Sequence, residues 1–170
     1  MISFIRDRAD YIIDTTTLLT RELRQEVEKI FVGNEEYGNF IITVLSFGFK
    51  YGIPSDADLV FDVRFLPNPF YIPDLRNLTG LDSKVADYVL GNEETHKFLN
   101  AWENLLNCVM PGYVAEGKQQ LAIGVGCTGG QHRSVVLANK TAELLAAQDY
   151  NVNVYHRDIA LADTNKEVEK

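Results

Sequence analysis

Basic residues are in short supply in this 170-residue chain: 16 Lys and Arg stand against 24 Asp and Glu, giving a formal net charge of −8 and a pI near 4.8. Broad, sequence-independent binding of nucleic acid rests on neutralising phosphates with Lys and Arg, so that class is disfavoured while a local basic face stays open. Cysteine is nearly missing, and two residues, Cys108 and Cys127, cannot make a disulfide framework. Cys108 falls on the apolar side of an expected helix, where a buried free thiol is common. No apolar run approaches the ~18 residues that span a bilayer, and the first residues lack the basic-then-apolar pattern of a signal peptide. A cytoplasmic protein with no membrane partner is expected.

What is present suits one α/β domain: 46% hydrophobic and 24% charged residues is ordinary globular composition at this length. The first strand is expected over 9–15, and Thr20 is placed to cap a helix with Leu23, Val27, Ile30 and Phe31 at helical spacing. Residues 33–39 then break the pattern. Further strands are expected over 40–45 and 59–63, with a loop over 46–54 and a long loop over 65–80 stiffened by Pro67, Pro69 and Pro73. Asp82 is placed to cap a short helix running to Leu90. Phe98, Trp102, Leu105, Leu106 and Val109 form one face of a longer helix that should stop at Pro111-Gly112, and its aromatics read as core. His96 should lie on the solvent side of that helix. Leu121, Ile123 and Val125 make the next strand. A helix carrying Val135, Val136, Ala138, Leu144 and Leu145 follows, then a strand over 150–155 and a polar tail over 160–170. Strands alternating with helices predict a mainly parallel sheet with flanking helices and a ligand site at the carboxyl ends of the strands. Loops starting at 46, 64, 126 and 156 would converge there, bringing Lys50, Arg64, Arg76, His132, Arg133, His156 and Arg157.

The segment Gly126-Cys127-Thr128-Gly129-Gly130-Gln131-His132-Arg133-Ser134 joins an expected strand to an expected helix. Its glycines let the backbone curl around an anion, the first N–H groups of the helix point into the turn, and Arg133 can offer two parallel donors. Charge agrees: the 26 residues 117–142 contain no acid, although 24 in 170 would put about three or four there, and Lys118, Arg133 and Lys140 lie in the gap.

Other readings compete. The glycines at 124, 126 and 129 fit a dinucleotide fingerprint formally, but the acid that would bind ribose, Asp158, lies 34 residues past the first where about 20 is usual. Read as a P-loop, the segment has Gly130 and Gln131 where Lys and Ser or Thr are required. Zinc through Cys127 and His132 would need Cys108, His96 or His156, none with paired spacing. The spacing of Cys127, Arg133 and Ser134 matches a cysteine-dependent phosphatase loop, for which Asp62 or Asp74 are the nearest general-acid guesses. Each candidate also has a plainer role: Lys50 as a solvated lysine, Arg64 in an ion pair with Asp62 or Asp74, Asn68 as a turn residue and Cys127 as a small packing residue.

Taken with Ser46-Phe-Gly-Phe-Lys-Tyr-Gly-Ile-Pro54, with Asp56-Ala-Asp-Leu-Val-Phe-Asp-Val-Arg-Phe-Leu-Pro-Asn-Pro69 and with His156-Arg157, the glycine segment resembles the C-terminal domain of the RapZ/YvcJ proteins over about 40–158. Residues 5–31 are similar to the last strand and helix of that family's N-terminal nucleotide-binding domain. Residues 1–33 would then be a remnant of that domain and 34–170 the ligand-sensing domain. The resemblance implies ATP or GTP binding and hydrolysis by the longer proteins, through a Walker A loop that this chain lacks, so no cofactor is expected here. It implies a sensor for a phosphorylated small metabolite such as glucosamine-6-phosphate, and RNA binding in members that act as RNase adaptors. Those members end in a Lys- and Arg-rich tail, whereas Asp158-Ile-Ala-Leu-Ala-Asp163 follows here, which counts against RNA as a partner. Homo-oligomerisation stays open. Lys50, Arg64, Asn68, Arg76, Cys127, Thr128, Gly129, Gly130, His132 and Arg133 stand at family motif positions and are the expected phosphosugar ligands. Binding rather than turnover is the expected output, and a solvent-facing Arg133 would be replaceable with little loss of stability.

Overall fold

The computed structural model describes Arg8 and residues 11–31 and 40–162. Four strands form one all-parallel sheet in the order β2-β3-β1-β4: β1 (Ile41–Gly48), β2 (Leu59–Asp62), β3 (Gln120–Cys127) and β4 (Asn151–His156). The helices are α1 (Thr20–Phe31), α2 (Ser83–Leu90), α3 (Glu93–Ala115) and α4 (Arg133–Ala146). The expected α/β fold is therefore present, and α2 begins as expected, with the Asp82 carboxylate accepting the Lys84 N–H at 2.9 Å. Among the described residues no helix is long and apolar enough to cross a membrane.

Parallel strands alternate faces, and here one face carries the core. Ile42 and Val44 of β1 stand level with Leu121 and Ile123 of β3, all essentially inaccessible to solvent. The α4 residues Val136, Leu137 and Leu145 belong to the same cluster, together with Leu99, Trp102, Leu106 and Met110 of α3. The Trp102 indole Nε1–H donates to Thr141 Oγ1 at 3.0 Å, and its ring lies 3.9 Å from that of Phe61. A buried indole thus finds its partner.

Five expectations are corrected. The part of the first expected strand that is described, 11–15, joins no ladder, and Tyr11 and Ile12 are exposed; β-formers without a partner strand make no sheet. β1 runs three residues into the expected 46–54 loop because Ser46, Phe47 and Gly48 stay paired with Val125, Gly126 and Cys127. α3 passes through Pro111 to Ala115. The proline removes one N–H donor, but Met110 is fully buried and Tyr113 and Val114 pack on the core, which holds the last turn in place. The helix ends at Gly117, whose φ of +84° lets its N–H reach Val114 O at 2.9 Å and the Lys118 N–H reach Tyr113 O at 3.1 Å. Finally, the buried seam of α3 is Thr95, Leu99, Trp102, Leu106 and Met110, which turns Leu105 and Cys108 outward; both are exposed. His96 is exposed, as expected. Of the tail expected over 160–170, residues 160–162 belong to a 3-10 turn (Ile159–Ala162) and the remainder lies outside the described residues.

Candidate anion site at the glycine loop

β1 and β3 are neighbours, so their carboxyl ends deliver residues 49–51 and 127–132 side by side. Contact there is close. A Cβ on Gly48 would come within 2.6 Å of the Gly129 carbonyl carbon, and one on Gly130 within 2.7 Å of Gly48 N. Gly130 also has φ +76°, a left-handed conformation that glycine adopts without strain. Asp158, 2% exposed, ties this corner down: one oxygen accepts the Gly48 N–H at 2.7 Å, and both oxygens accept from Arg157, Nε at 2.9 Å and Nη2 at 2.8 Å. That commitment leaves Asp158 no role as a ribose ligand. The Lys50 N–H donates to Thr128 O at 3.1 Å and the Gly80 N–H to Gln131 O at 2.7 Å, so the loop is braced from both sides.

Between this loop and the proline-rich segment lies a cavity of about 320 Å³. Six of the sequence-expected residues line it: Asn68, Cys127, Thr128, Gly129, His132 and Arg133. Gln131 of the glycine segment and Phe70 and Tyr71, to which the sequence gives no role, complete the lining. Asn68 caps the 3-10 turn Pro69–Tyr71, its Oδ1 accepting the Phe70 N–H at 3.3 Å, and so fixes the aromatic pair. The expectation that prolines in 65–80 hold something in place thus finds its object.

The remaining expected residues stand elsewhere. The Arg64 side chain makes a forked pair with Asp62, Nη2 to Oδ2 at 2.6 Å, and lies over the Phe49 ring at 4.3 Å. The hydrogen bond from Arg64 holds the Asp62 carboxyl below its ordinary value. Arg76 stacks over Phe70 at 4.5 Å and donates Nε to Phe70 O, buttressing the wall rather than facing the cavity. Lys50 Nζ sits 5.5 Å from the Tyr51 ring, and Gly130 lies behind the lining. A roomier hollow of about 630 Å³ lies against the other side of the sheet, lined in part by Thr43, Asp58, Lys118 and Tyr155. Lys118 is bound to Asp58 at 2.7 Å and Arg157 to Asp158, so its cations are already neutralised.

Arg133 is 4% exposed, not solvent-facing. Nη1 donates to two backbone carbonyls of the loop after β2, Arg64 O at 2.6 Å and Leu66 O at 3.0 Å, while Nε is buried with no partner. Burial pushes the guanidinium down from its ordinary value, although Cys127 and Asp62 nearby act the other way. His132, the residue that precedes α4, supplies no side-chain cap, and its buried Nε2 is also without a partner. Buried donors are rarely left unmatched, and the Arg133 Nε marks a place where an acceptor belongs. Cys127, 3% exposed, sits at the base, its sulfur accepting the Gly130 N–H at 3.3 Å and standing 3.1 Å from Ser134 Oγ.

Two histidines carry a pH signature. Burial lowers His132 and His156 from the ordinary 6.5, against nearby backbone groups of Leu78 and Arg76 in the case of His132. The unfolded chain therefore takes up protons before the folded one, so stability is complete above about pH 6.5 and falls as pH drops through the lowered values. The urea midpoint should be lower at about pH 5.5 than at about pH 7.5, and His132→Gln should shrink that difference. A flat profile between these values would contradict the buried placement of the rings.

A family model described as the RapZ C-terminal domain matches residues 40–160. The chain is 56% identical over 158 residues to a "Nucleotide-binding protein" of Lachnoclostridium phytofermentans, covering 93% of this chain and 55% of that protein. The corresponding protein of Agathobacter rectalis is 54% identical over 159 residues, with 93% and 55% covered, and one from Clostridium botulinum is 54% identical over 156 residues, with 91% and 53% covered. The chain spans about half the length of these curated relatives. It belongs to the RapZ C-terminal domain family.

Proposed function

We propose that this chain is a ligand-sensing domain that holds the phosphate of a small phosphorylated metabolite, an amino-sugar phosphate such as glucosamine-6-phosphate, in the turn from Cys127 to Arg133. The observation that carries the reading is the state of Arg133: one nitrogen is anchored on two carbonyls while Nε is buried and unmatched. Nη2 makes only a long bond to Thr128 Oγ1 at 3.4 Å, so the anchored guanidinium keeps Nε and Nη2 in place for two oxygens of one phosphate. The uncapped start of α4 adds N–H groups of the favourable sign. Thr128 and Asn68 line the same space and supply hydroxyl and amide groups for the sugar. Lys50 stands outside the lining and acts, in this reading, through the long-range field at its mouth, whereas the charge of Arg64 is already met by Asp62.

In the longer relatives, nucleotide binding would belong to the half this chain does not span. The loop here carries Gly130 and Gln131 where a nucleotide-binding loop needs its lysine and hydroxyl. With a net charge of −8, the reading is of a metabolite sensor rather than an RNA-binding module.

Phosphorus NMR tests it. Glucosamine-6-phosphate titrated with the protein should give a shifted or broadened ester resonance and no free phosphate. Arg133→Lys, which keeps the charge and loses the fork, should weaken binding roughly 10- to 150-fold, the equivalent of one charge-assisted hydrogen bond. An unperturbed spectrum would refute the ligand, and equal affinity in the variant would refute the site.

A further inference from the structure

We propose that the same loop carries a slow phosphomonoesterase chemistry, with Cys127 as nucleophile and aryl phosphates as substrates. The proposal rests on the phosphate-binding reading above and adds to it a covalent step. The sulfur lies at the base of the turn whose rim would hold the phosphate, and it is positioned by the Gly130 N–H at 3.3 Å and Ser134 Oγ at 3.1 Å. The Gly130 N–H aimed at the sulfur fixes its position at the floor of the cavity, where a nucleophile would meet phosphorus. Independently of the cysteine, the unmatched Nε of Arg133, in a side chain 4% exposed, marks where an anion belongs in the cavity that Cys127 also lines. Pairing with Arg133 would also offset the charge that gathers on the transferring group.

In the first step a sulfur–phosphorus bond forms and the phosphorus–oxygen bond to the alcohol breaks; the alcohol leaves as its anion and receives, through water, the proton that the thiol gave up. In the second, water attacks phosphorus, the sulfur–phosphorus bond breaks, and inorganic phosphate and the free thiol return. Ser134 Oγ, at hydrogen-bond distance from the sulfur, is placed to stabilise it as it departs.

The leaving group decides the substrate class. The neighbouring carboxylate, Asp62, is engaged by three hydrogen bonds from the Arg64 side chain and held ionised, so it has no proton to donate. With no proton from Asp62, alcohols stable as anions leave most readily. That favours aryl esters over sugar esters, and the exposed Phe70 and Tyr71 rings offer an aryl group a wall to rest on. A sugar phosphate is then held and left intact, as a sensor requires.

The probe is p-nitrophenyl phosphate, with release of p-nitrophenolate and of phosphate followed in wild type, Cys127→Ser and Ser134→Ala. Expected are stoichiometric release of both products in wild type, at least a ~100-fold loss in Cys127→Ser, and a phosphorus resonance of a thiophosphate ester that accumulates in Ser134→Ala. If Cys127→Ser fails to fold, alkylation of wild type with iodoacetamide, mapped by mass spectrometry to separate Cys127 from the exposed Cys108, should abolish turnover in proportion to Cys127 modification and be slowed by inorganic phosphate. Binding of inorganic phosphate without any hydrolysis would overturn the nucleophile and leave the binding site standing. Absence of binding would overturn both, and hydrolysis that survives Cys127→Ser would assign it to a contaminant.

Discussion

Arg133→Ala should both unfold the protein more readily and abolish anion binding. The side chain donates to Arg64 O and Leu66 O, carbonyls that no described secondary structure satisfies, and it does so from a buried position. Alanine leaves those acceptors without their donor. The cost of each such group is about 1–3 kcal/mol, so with two carbonyls a loss of roughly 2–5 kcal/mol is expected. That is a large share of the 5–15 kcal/mol typical of a whole domain. Urea denaturation of the two proteins measures it through the midpoint at unchanged slope. A shift of less than about 0.5 kcal/mol, the size of an ordinary surface substitution, would mean that the arginine is not the clamp between the β2 and β3 loops.

Gly130→Ala should be nearly as damaging, for a different reason. Its φ of +76° costs an L-residue roughly 1–2 kcal/mol, and the added carbon would lie 2.7 Å from Gly48 N and 2.9 Å from Asp158 Cβ. Neither neighbour can yield: one is backbone of a paired strand, the other a buried carboxylate side chain bonded to Gly48 and Arg157. Overpacking of this kind costs typically 1–3 kcal/mol more. The test separates the two contributions: Gly129→Ala, where a Cβ would meet nothing within 4 Å and no positive φ is required, should leave stability nearly intact. Equal loss at both positions would indicate general intolerance of the loop rather than this specific contact.

The sheet, its parallel sense and the helices around it could be read from periodicity, because each depends on local alternation of apolar residues such as Leu121, Ile123 and Val125. The glycine loop was legible for the same reason, its chemistry being contiguous. What escaped depends on contacts distant in sequence. β1 reaches Gly48 only because β3 supplies partners to Cys127, and a local reading of Ser46-Phe-Gly sees turn formers. α3 outlasts Pro111 because tertiary packing outweighs one missing hydrogen bond. Phe70 and Tyr71 look like ordinary loop aromatics until Asn68 and Arg76 set them against the cavity. Arg133 is expected from the sequence to hold an anion, but its anchor lies 69 and 67 residues away. No spacing rule could reveal that. A signal for Asp158 existed in the sequence, an acid directly after His156-Arg157, yet its partner Gly48 is 110 residues distant.

The clamp of Gly48 against Gly129 and Gly130, locked by Asp158, has a consequence for how a ligand is received. A loop whose backbone is already held by a buried carboxylate and by strand pairing has little conformational entropy left to lose, so association needs no ordering step at the phosphate. The on-rate should then follow encounter alone and fall with ionic strength, while differences among ligands appear in their residence times. The amide of Gly48 offers a native reporter of that rigidity: its N–H is held by the buried Asp158 carboxylate, so its hydrogen exchange should already be slow without phosphate.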